Sequence, residues 1–140
     1  MKSLNKKIIN QNFLVTGGAG FIGSNIVKYL IHNNAKKVYV LDDLSNGRLT
    51  NLDEVKDCNN FQFVKGDIRD YQTCLKIVEK VDYVCHQAAL GSVPRSINDP
   101  LMSHDVNVNG FLNILNSIKN SKKNISLVYA SSSSVYGDSE

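Results

Sequence analysis

Short, mainly apolar runs alternate with amphipathic segments along this chain, a pattern typical of an α/β protein. Five such runs predict β-strands, over residues 13–15, 38–41, 61–64, 83–85 and 126–129. Three longer segments carry apolar side chains at helical spacing, over residues 21–32, 71–80 and 101–119. Asp70 is placed to cap the second of these helices. Residues 52–56 predict one short additional helix.

Strands that alternate with helices in this way form a parallel sheet with right-handed crossovers and helices on both faces. We therefore expect residues 1–140 to form one Rossmann-like, doubly wound domain with strand order 3-2-1-4-5. In such sheets ligands bind beyond the carboxyl ends of the strands, at the point where the strand order reverses. That point lies between strands one and four here.

Composition and charge exclude several classes of protein. The 140 residues are 42% hydrophobic, and no run approaches the roughly 18 apolar residues of a membrane span. The basic N-terminus lacks the apolar core of a secretion signal. Three cysteines without CxxC spacing argue against a disulfide framework or a metal site and favour a cytoplasmic protein. The net charge of +3 is scattered, which argues against nucleic-acid binding.

The sharpest motif is the glycine-rich run TGGAGFIG at residues 16–23. It contains G-x-G-x-x-G at Gly18, Gly20 and Gly23, and G-x-x-G-x-x-G at Gly17, Gly20 and Gly23. A strand precedes it and a helix follows, the context that a dinucleotide-binding loop requires. The glycines leave room for a pyrophosphate, and the helix N-terminus offers it unpaired N–H groups and a positive dipole end. The alternative is a plain tight turn.

An acid at the end of the second strand is the other requirement of this motif, because it binds the adenosine ribose hydroxyls. Asp42 follows Gly23 by 19 residues and ends the apolar run. A carboxylate there repels a 2′-phosphate, so the sequence favours NAD over NADP. Asp43 is either a second contact or a turn residue, and Arg48 is a nearby cation that weakens the preference.

The other polar clusters also follow strands. Residues 66–68, 86–92 and 131–134 come directly after the third, fourth and fifth strands. They should therefore meet the glycine loop at one crevice, where the small Ala88 and Ala89 let a flat cofactor ring approach the backbone. His86, at a strand end, is interpreted as a packed side chain rather than a catalytic one, and His32 and His104 as surface residues.

These motifs resemble the extended short-chain dehydrogenase/reductase family of NAD-dependent epimerases and dehydratases, from residue 13 to residue 138. The segment HQAALGSVPRSINDP, residues 86–100, is similar to the UDP-N-acetylglucosamine 4-epimerase branch of that family. The resemblance implies that the full-length protein interconverts UDP-N-acetylglucosamine and UDP-N-acetylgalactosamine, or their uronic acids, through a 4-keto intermediate. A nucleotide-sugar 4,6-dehydratase and a non-catalytic NAD-binding module are the alternatives.

The resemblance also implies a role for each matching residue. Ser132 or its neighbour Ser133 matches the catalytic serine, and Ser92 and Ser132 would approach the UDP-sugar. Val106 stands where relatives often carry a polar cofactor contact, and Asn107 matches an asparagine common in the family. The residues implied to bind NAD are Gly17, Gly20, Phe21, Ile22, Gly23, Asp42, Asp43, Leu44, Ser45, Asn46, Gly47, Asp67, Ile68, Gln87, Ala88, Ala89 and Leu90.

Length is the largest departure from the family pattern. Relatives carry a Tyr-x-x-x-Lys pair after the serine, in which the lysine lowers the pKa of the tyrosine that transfers the proton. Tyr136 does not supply this pair, because Glu140 stands four residues on. We expect the pair and the C-terminal substrate domain to lie outside these 140 residues, and this chain alone to lack epimerase activity.

The helix predicted over residues 101–119 has a wider apolar stripe than one sheet-facing side requires. Relatives pair this helix with its copy, so the resemblance implies a homodimer of the full-length protein. The alternative is that the second stripe packs against the rest of the same chain. The apolar positions are Val106, Val108, Phe111, Leu112, Ile114, Leu115 and Ile118.

Overall fold

The computed structural model describes residues 8–137, apart from the side chains of residues 133 and 134. Its centre is a five-stranded parallel sheet in the order β3-β2-β1-β4-β5. The predicted Rossmann-like fold and strand order are confirmed. The strands are β1 (Asn12–Thr16), β2 (Lys37–Asp42), β3 (Phe61–Lys65), β4 (Tyr83–His86) and β5 (Ser126–Tyr129).

Within residues 8–137, five α-helices and three shorter helical segments accompany the strands. The α-helices are α1 (Phe21–His32), α2 (Tyr71–Val78), α3 (Val93–Asn98), α4 (Pro100–His104) and α5 (Phe111–Asn120). A π-helical segment, Asp105–Gly110, joins α4 to α5, and 3-10 turns form at Leu49–Leu52 and Ser133–Tyr136. Asp70 caps α2 as predicted, since its side chain accepts the N–H groups of Gln72 and Thr73.

The single helix predicted over residues 101–119 is divided in the structure into α4, the π-helical segment and α5. The predictions differ from the structure at two further places. The helix predicted over residues 52–56 is wrong: a 3-10 turn ends at Leu52 and further turns follow it. Leu52 and Val55 are both buried, so their spacing reflects two turns that face the core rather than a helical face. Helix α3 was not predicted, because all its residues are exposed and leave no apolar periodicity to find.

The core lies in two layers, one on each face of the sheet. Val15 and Val38 pack with Val27 of α1 on one face. On the other face, Leu14 and Val84 belong to the second layer. Helices α2 and α5 cover this face. Because β1 and β2 are covered on both sides, their middle residues are apolar and polar residues stand only at the strand ends, which explains the continuous apolar runs of the sequence.

Two kinds of feature that the sequence predicts to be absent are a membrane span and a metal site. Within residues 8–137, no helix combines the length and apolar character needed to cross a bilayer. The same residues contain no cluster of three or more histidine, cysteine or acidic side chains arranged for a metal ion. The cysteines Cys58, Cys74 and Cys85 are unpaired, and burial raises the pKa of Cys74 to about 12.

Candidate functional site

The glycine loop between β1 and α1 is shaped by close backbone contacts. Gly17 has a positive φ of 65°, and its N–H donates to the Leu41 carbonyl at 2.8 Å. A Cβ on Gly17 would lie 2.7 Å from the Ala88 nitrogen. A Cβ on Gly23 would collide with the Gly17 carbonyl oxygen. The loop therefore lies directly against the end of β4, which only glycine at these positions permits.

Helix α1 begins at this loop with an uncapped N-terminus. Gly20 is the N-cap residue and has no side chain to accept the first N–H groups of the helix. Gly20 also lines the cleft above the sheet. Phe21 and Ile22 follow it with 84% and 63% of their surfaces exposed. A helix N-terminus with free N–H groups at a cleft is suited to bind a phosphate.

Asp42 is buried at the carboxyl end of β2. One of its carboxylate oxygens accepts the Ala19 N–H at 2.9 Å, and the other accepts the Leu44 N–H at 2.8 Å. The side chain thus braces the glycine loop while lining the cleft. Each oxygen retains a lone pair after one such bond, so a ribose hydroxyl can still donate to it. The sequence predicted that Asp42 lies at the cleft, but not that its side chain holds the glycine loop in place.

The sequence left open whether Asp43 is a second cofactor contact or a turn residue. In the structure its side chain stabilises a turn. Its Oδ1 accepts from both the backbone N–H and the hydroxyl of Ser45, at 2.8 and 2.7 Å. Leu44 between them has a positive φ of 65°. This turn brings Ser45, Asn46 and Gly47 along one wall of the cleft, together with Asp43 itself.

An ion-pair network holds the wall formed by the loop after β3. The Arg69 guanidinium contacts Asp67 at 2.6 Å and Asp105 at 3.3 Å. Its hydrogen bonds to Asp67 hold the pKa of that carboxyl below its usual range. The pKa of Asp105 is also lowered, first by the Asn109 amide and then by Arg69. Because Arg69 joins this loop to the π-helical segment, it fixes the position of Ile68 at the cleft.

His86 and Thr16 form a buried polar pair where β4 meets β1. Thr16 Oγ1 lies 2.7 Å from His86 Nδ1 and accepts the N–H groups of Gln87 and Ala88 at 3.2 and 3.3 Å. These two N–H groups favour a hydroxyl proton that points at Nδ1, which would leave the proton of the neutral ring on Nε2. Burial lowers the pKa of His86 to about 4, and the ring stacks on Phe111. This agrees with a packed rather than a catalytic histidine.

The π-helical segment supports the wall of the cleft that residues 87–90 form. The Asn107 side chain accepts the Leu90 N–H at 2.7 Å and donates to the Leu90 carbonyl at 3.1 Å. This amide clamp fixes the backbone of residues 87–90 at the cleft. Val106 also lines the cleft, so an apolar side chain stands at the position where the resemblance implies a polar contact.

The predicted cofactor residues meet at one open cleft, which encloses about 560 Å³ of space partly open to solvent. Thirteen of the 17 predicted residues line it, while Phe21, Ile22, Gly23 and Leu44 do not. Leu41 and Gly66 line it without having been predicted. The 13 are Gly17, Gly20, Asp42, Asp43, Ser45, Asn46, Gly47, Asp67, Ile68, Gln87, Ala88, Ala89 and Leu90.

Ser92 and Ser132, two of the predicted substrate and catalytic serines, are not among the residues that line this cleft. The Ser92 hydroxyl oxygen caps α3 by accepting the Arg95 N–H at 3.4 Å. Ser132 is exposed beyond β5, and its carbonyl accepts the Val135 N–H. The side chain of Ser133 lies outside the described residues. The roles given to these serines therefore stay predictions.

Comparison with known proteins gives the family. Residues 14–140 match the sequence model of a family described as GDP-mannose 4,6 dehydratase. The chain belongs to this family. The resemblance to NAD-dependent epimerases and dehydratases is thereby confirmed.

Curated members of the family include epimerases of several sugar nucleotides. A putative UDP-glucose 4-epimerase of Methanocaldococcus jannaschii is 44% identical over 128 residues, covering 89% of this chain and 39% of that protein. CDP-paratose 2-epimerase of Salmonella typhi is 35% identical over 133 residues, covering 93% and 39% respectively. The chain therefore spans about two fifths of the length of these relatives.

Solved structures in the family share the fold. A UDP-N-acetylglucosamine 4-epimerase from Methanobrevibacter ruminantium M1, in complex with UDP-N-acetylmuramic acid, has a TM-score of 0.84 at 41% identity and covers 94% of this chain and 41% of that one. WbmF of Bordetella bronchiseptica, solved with NAD+, has a TM-score of 0.82 at 32% identity and covers 91% and 38%. The predicted cofactor, NAD, agrees with this complex.

Proposed function

We propose that this chain is the NAD-binding domain of a nucleotide-sugar epimerase. The observation that carries the proposal is the convergence of four loops, after β1, β2, β3 and β4, on one cleft at the switch point of the sheet. Asp42 stands in that cleft where a ribose-binding acid is required. The α1 N-terminus opens beside it without a side-chain cap.

Each part of NAD has matching chemistry along the cleft. Asp42 would accept from the adenosine ribose hydroxyls, and the first N–H groups of α1 would bind the pyrophosphate. Asp67 and Ile68 would contact adenine, and Gln87 to Leu90 would line the nicotinamide side. When bound, NAD supplies a reversible acceptor for hydride. The chain itself supplies the orientation of the ring and a carboxylate that repels a 2′-phosphate.

The family resemblance suggests the role of the serine segment, and its place after β5, next to β4 in the sheet, supports that role. Ser132, or Ser133, would hydrogen-bond the hydroxyl at C4 of the sugar and hold it towards the nicotinamide side. Ser92 would approach the same substrate. Removal of the hydroxyl proton requires a base, and none of the described residues at the cleft is suited to that step, since His86 is buried and bonded to Thr16. We therefore expect the base to come from a Tyr-x-x-x-Lys pair beyond residue 140.

For the substrate, we propose the UDP-N-acetylglucosamine and UDP-N-acetylgalactosamine pair, or their uronic acids. The similarity to the Methanobrevibacter ruminantium epimerase supports this choice. The family model, which describes a 4,6-dehydratase, supports a nucleotide-sugar dehydratase as the second candidate. We further propose a cytoplasmic homodimer that pairs through the exposed side of the α4–α5 region, where Leu112 and Leu115 are exposed.

A chimera tests the proposed reaction. Residues 1–140 would replace the matching part of the Methanobrevibacter ruminantium epimerase, with which they share 41% identity. We expect the chimera to interconvert the two UDP-N-acetylhexosamines when NAD is present, and the 140-residue chain alone to show no turnover. Formation of a 4-keto-6-deoxy sugar would favour the dehydratase. A folded chimera that binds NAD but converts neither sugar would favour a non-catalytic module.

A further inference from the structure

The negative charge of the cleft lining is unfavourable for a dinucleotide ligand. Its lining within the described residues includes the carboxylates of Asp42, Asp43 and Asp67, and no lysine, arginine or histidine. A diphosphate brings further negative charge to this acidic surface. The α1 N-terminus offers N–H groups and a partial positive charge, equivalent to about half an elementary charge. A cationic side chain near the mouth of the cleft would offset the remaining repulsion.

Arg69, the arginine nearest to the adenine-side wall, is already paired. Its guanidinium contacts Asp67 at 2.6 Å and Asp105 at 3.3 Å, and the bonds to Asp67 raise the pKa of Arg69. Releasing it would leave two carboxylates unpaired. Arg69 therefore balances the charge of its own wall and is not available to a diphosphate.

Arg95 contacts a residue of the cleft lining from the side opposite Arg69 in the strand order of the sheet. It lies on α3, in the segment after β4, and its Nη2 donates to Asn46 Oδ1 at 3.1 Å. Asn46 lines the cleft in the loop after β2. Strands β2 and β4 flank β1 in the sheet, so this contact crosses the carboxyl end of β1, where the glycine loop and the α1 N-terminus lie.

We propose that Arg95 donates to the diphosphate of the dinucleotide and closes the cleft over it. This inference rests on the proposed NAD site. The guanidinium has five N–H donors in a planar fork suited to phosphate oxygens, and the bond to Asn46 uses one of them. The bond to Asn46, which lines the cleft, holds the arginine beside it before the ligand arrives. Arg95 is thus a cofactor-binding residue that the glycine motif does not predict.

Binding measurements on the 140-residue chain test this proposal. Calorimetry at high protein concentration would compare the wild type with Arg95→Gln, Arg95→Lys and Arg48→Gln, using NAD, adenosine and UDP as ligands. Arg48 is the matched control, because it is an exposed arginine on the same loop as Asn46. We expect Arg95→Gln to weaken NAD binding about fivefold to tenfold, as loss of a charge-assisted hydrogen bond at an exposed site predicts.

The ligands and variants separate the possible outcomes. Adenosine, which has no phosphate, should bind the wild type and Arg95→Gln equally, and Arg95→Lys should retain part of the NAD affinity. Added salt should weaken NAD binding less in Arg95→Gln than in the wild type. Unchanged NAD affinity in Arg95→Gln, an equal loss in Arg48→Gln, or a loss confined to UDP would overturn the proposal. If the wild type binds neither NAD nor adenosine, the NAD site itself is wrong.

Discussion

Replacing His86 with glutamine should remove a pH dependence of stability that we expect of the wild type between pH 7 and pH 5. The His86 pKa is lowered from 6.5 to about 4 by burial. The unfolded chain therefore binds a proton that the folded chain does not. Stability from the neutral ring is fully present above pH 6.5 and is lost as the pH falls towards 4. At pH 5 this linkage amounts to about 2 kcal/mol.

Urea unfolding at pH 7 and pH 5, followed by circular dichroism, measures the effect. The wild type should lose about 2 kcal/mol of unfolding free energy across this interval, and His86→Gln should lose far less. His104→Gln is the matched control, because His104 is exposed, and it should keep the wild-type loss. The lowered carboxyl pKa values of Asp67, Asp70 and Asp105 act below about pH 4, outside this window. An equal loss in the wild type and in His86→Gln would refute the assignment.

Three further predictions follow from the site and the exposed helix. Gly23→Ala should destabilise the chain by about 2 kcal/mol or more in urea unfolding, because the new Cβ meets the Gly17 carbonyl oxygen; a stable variant would contradict the loop geometry. In the active chimera, Ser132→Ala should lower kcat about 100-fold while NAD affinity stays unchanged; a large loss in Ser133→Ala alone would shift the assignment by one residue. Leu112→Glu with Leu115→Glu should convert the chimera from dimer to monomer in analytical ultracentrifugation, and a monomeric parent would refute the dimer.

The sequence predicted most of the fold because local signals and tertiary packing agree. The apolar runs of β1 and β2 are buried on both faces, and α1 has the predicted bounds, Phe21–His32. Asp70 caps α2 with its own side chain, a local interaction that its residue type and position reveal. The grouping of the loops at one cleft followed from the strand order alone.

The features that the sequence did not reveal depend on contacts between distant segments. Asp42 looks like a ribose ligand from its position, but its bonds to Ala19 and Leu44 exist only once the loop has folded around it. The contact of Arg95 with Asn46 joins residues 49 positions apart. Helix α3 buries no face and so has no periodic signal, and the π-helical segment that positions Asn107 interrupts a pattern that reads as one regular helix.

The choice between the two dinucleotides tests the central claim most directly. The wild-type chain suits this test better than an Asp42 variant, because Asp42 also braces the glycine loop and its loss would disturb folding and binding together. Calorimetry would titrate the 140-residue chain with NAD and, separately, with NADP under the same conditions. We expect weak binding of NAD and at least about tenfold weaker binding of NADP, since the Asp42 carboxylate opposes the 2′-phosphate. Equal affinities, or a preference for NADP, would contradict the account.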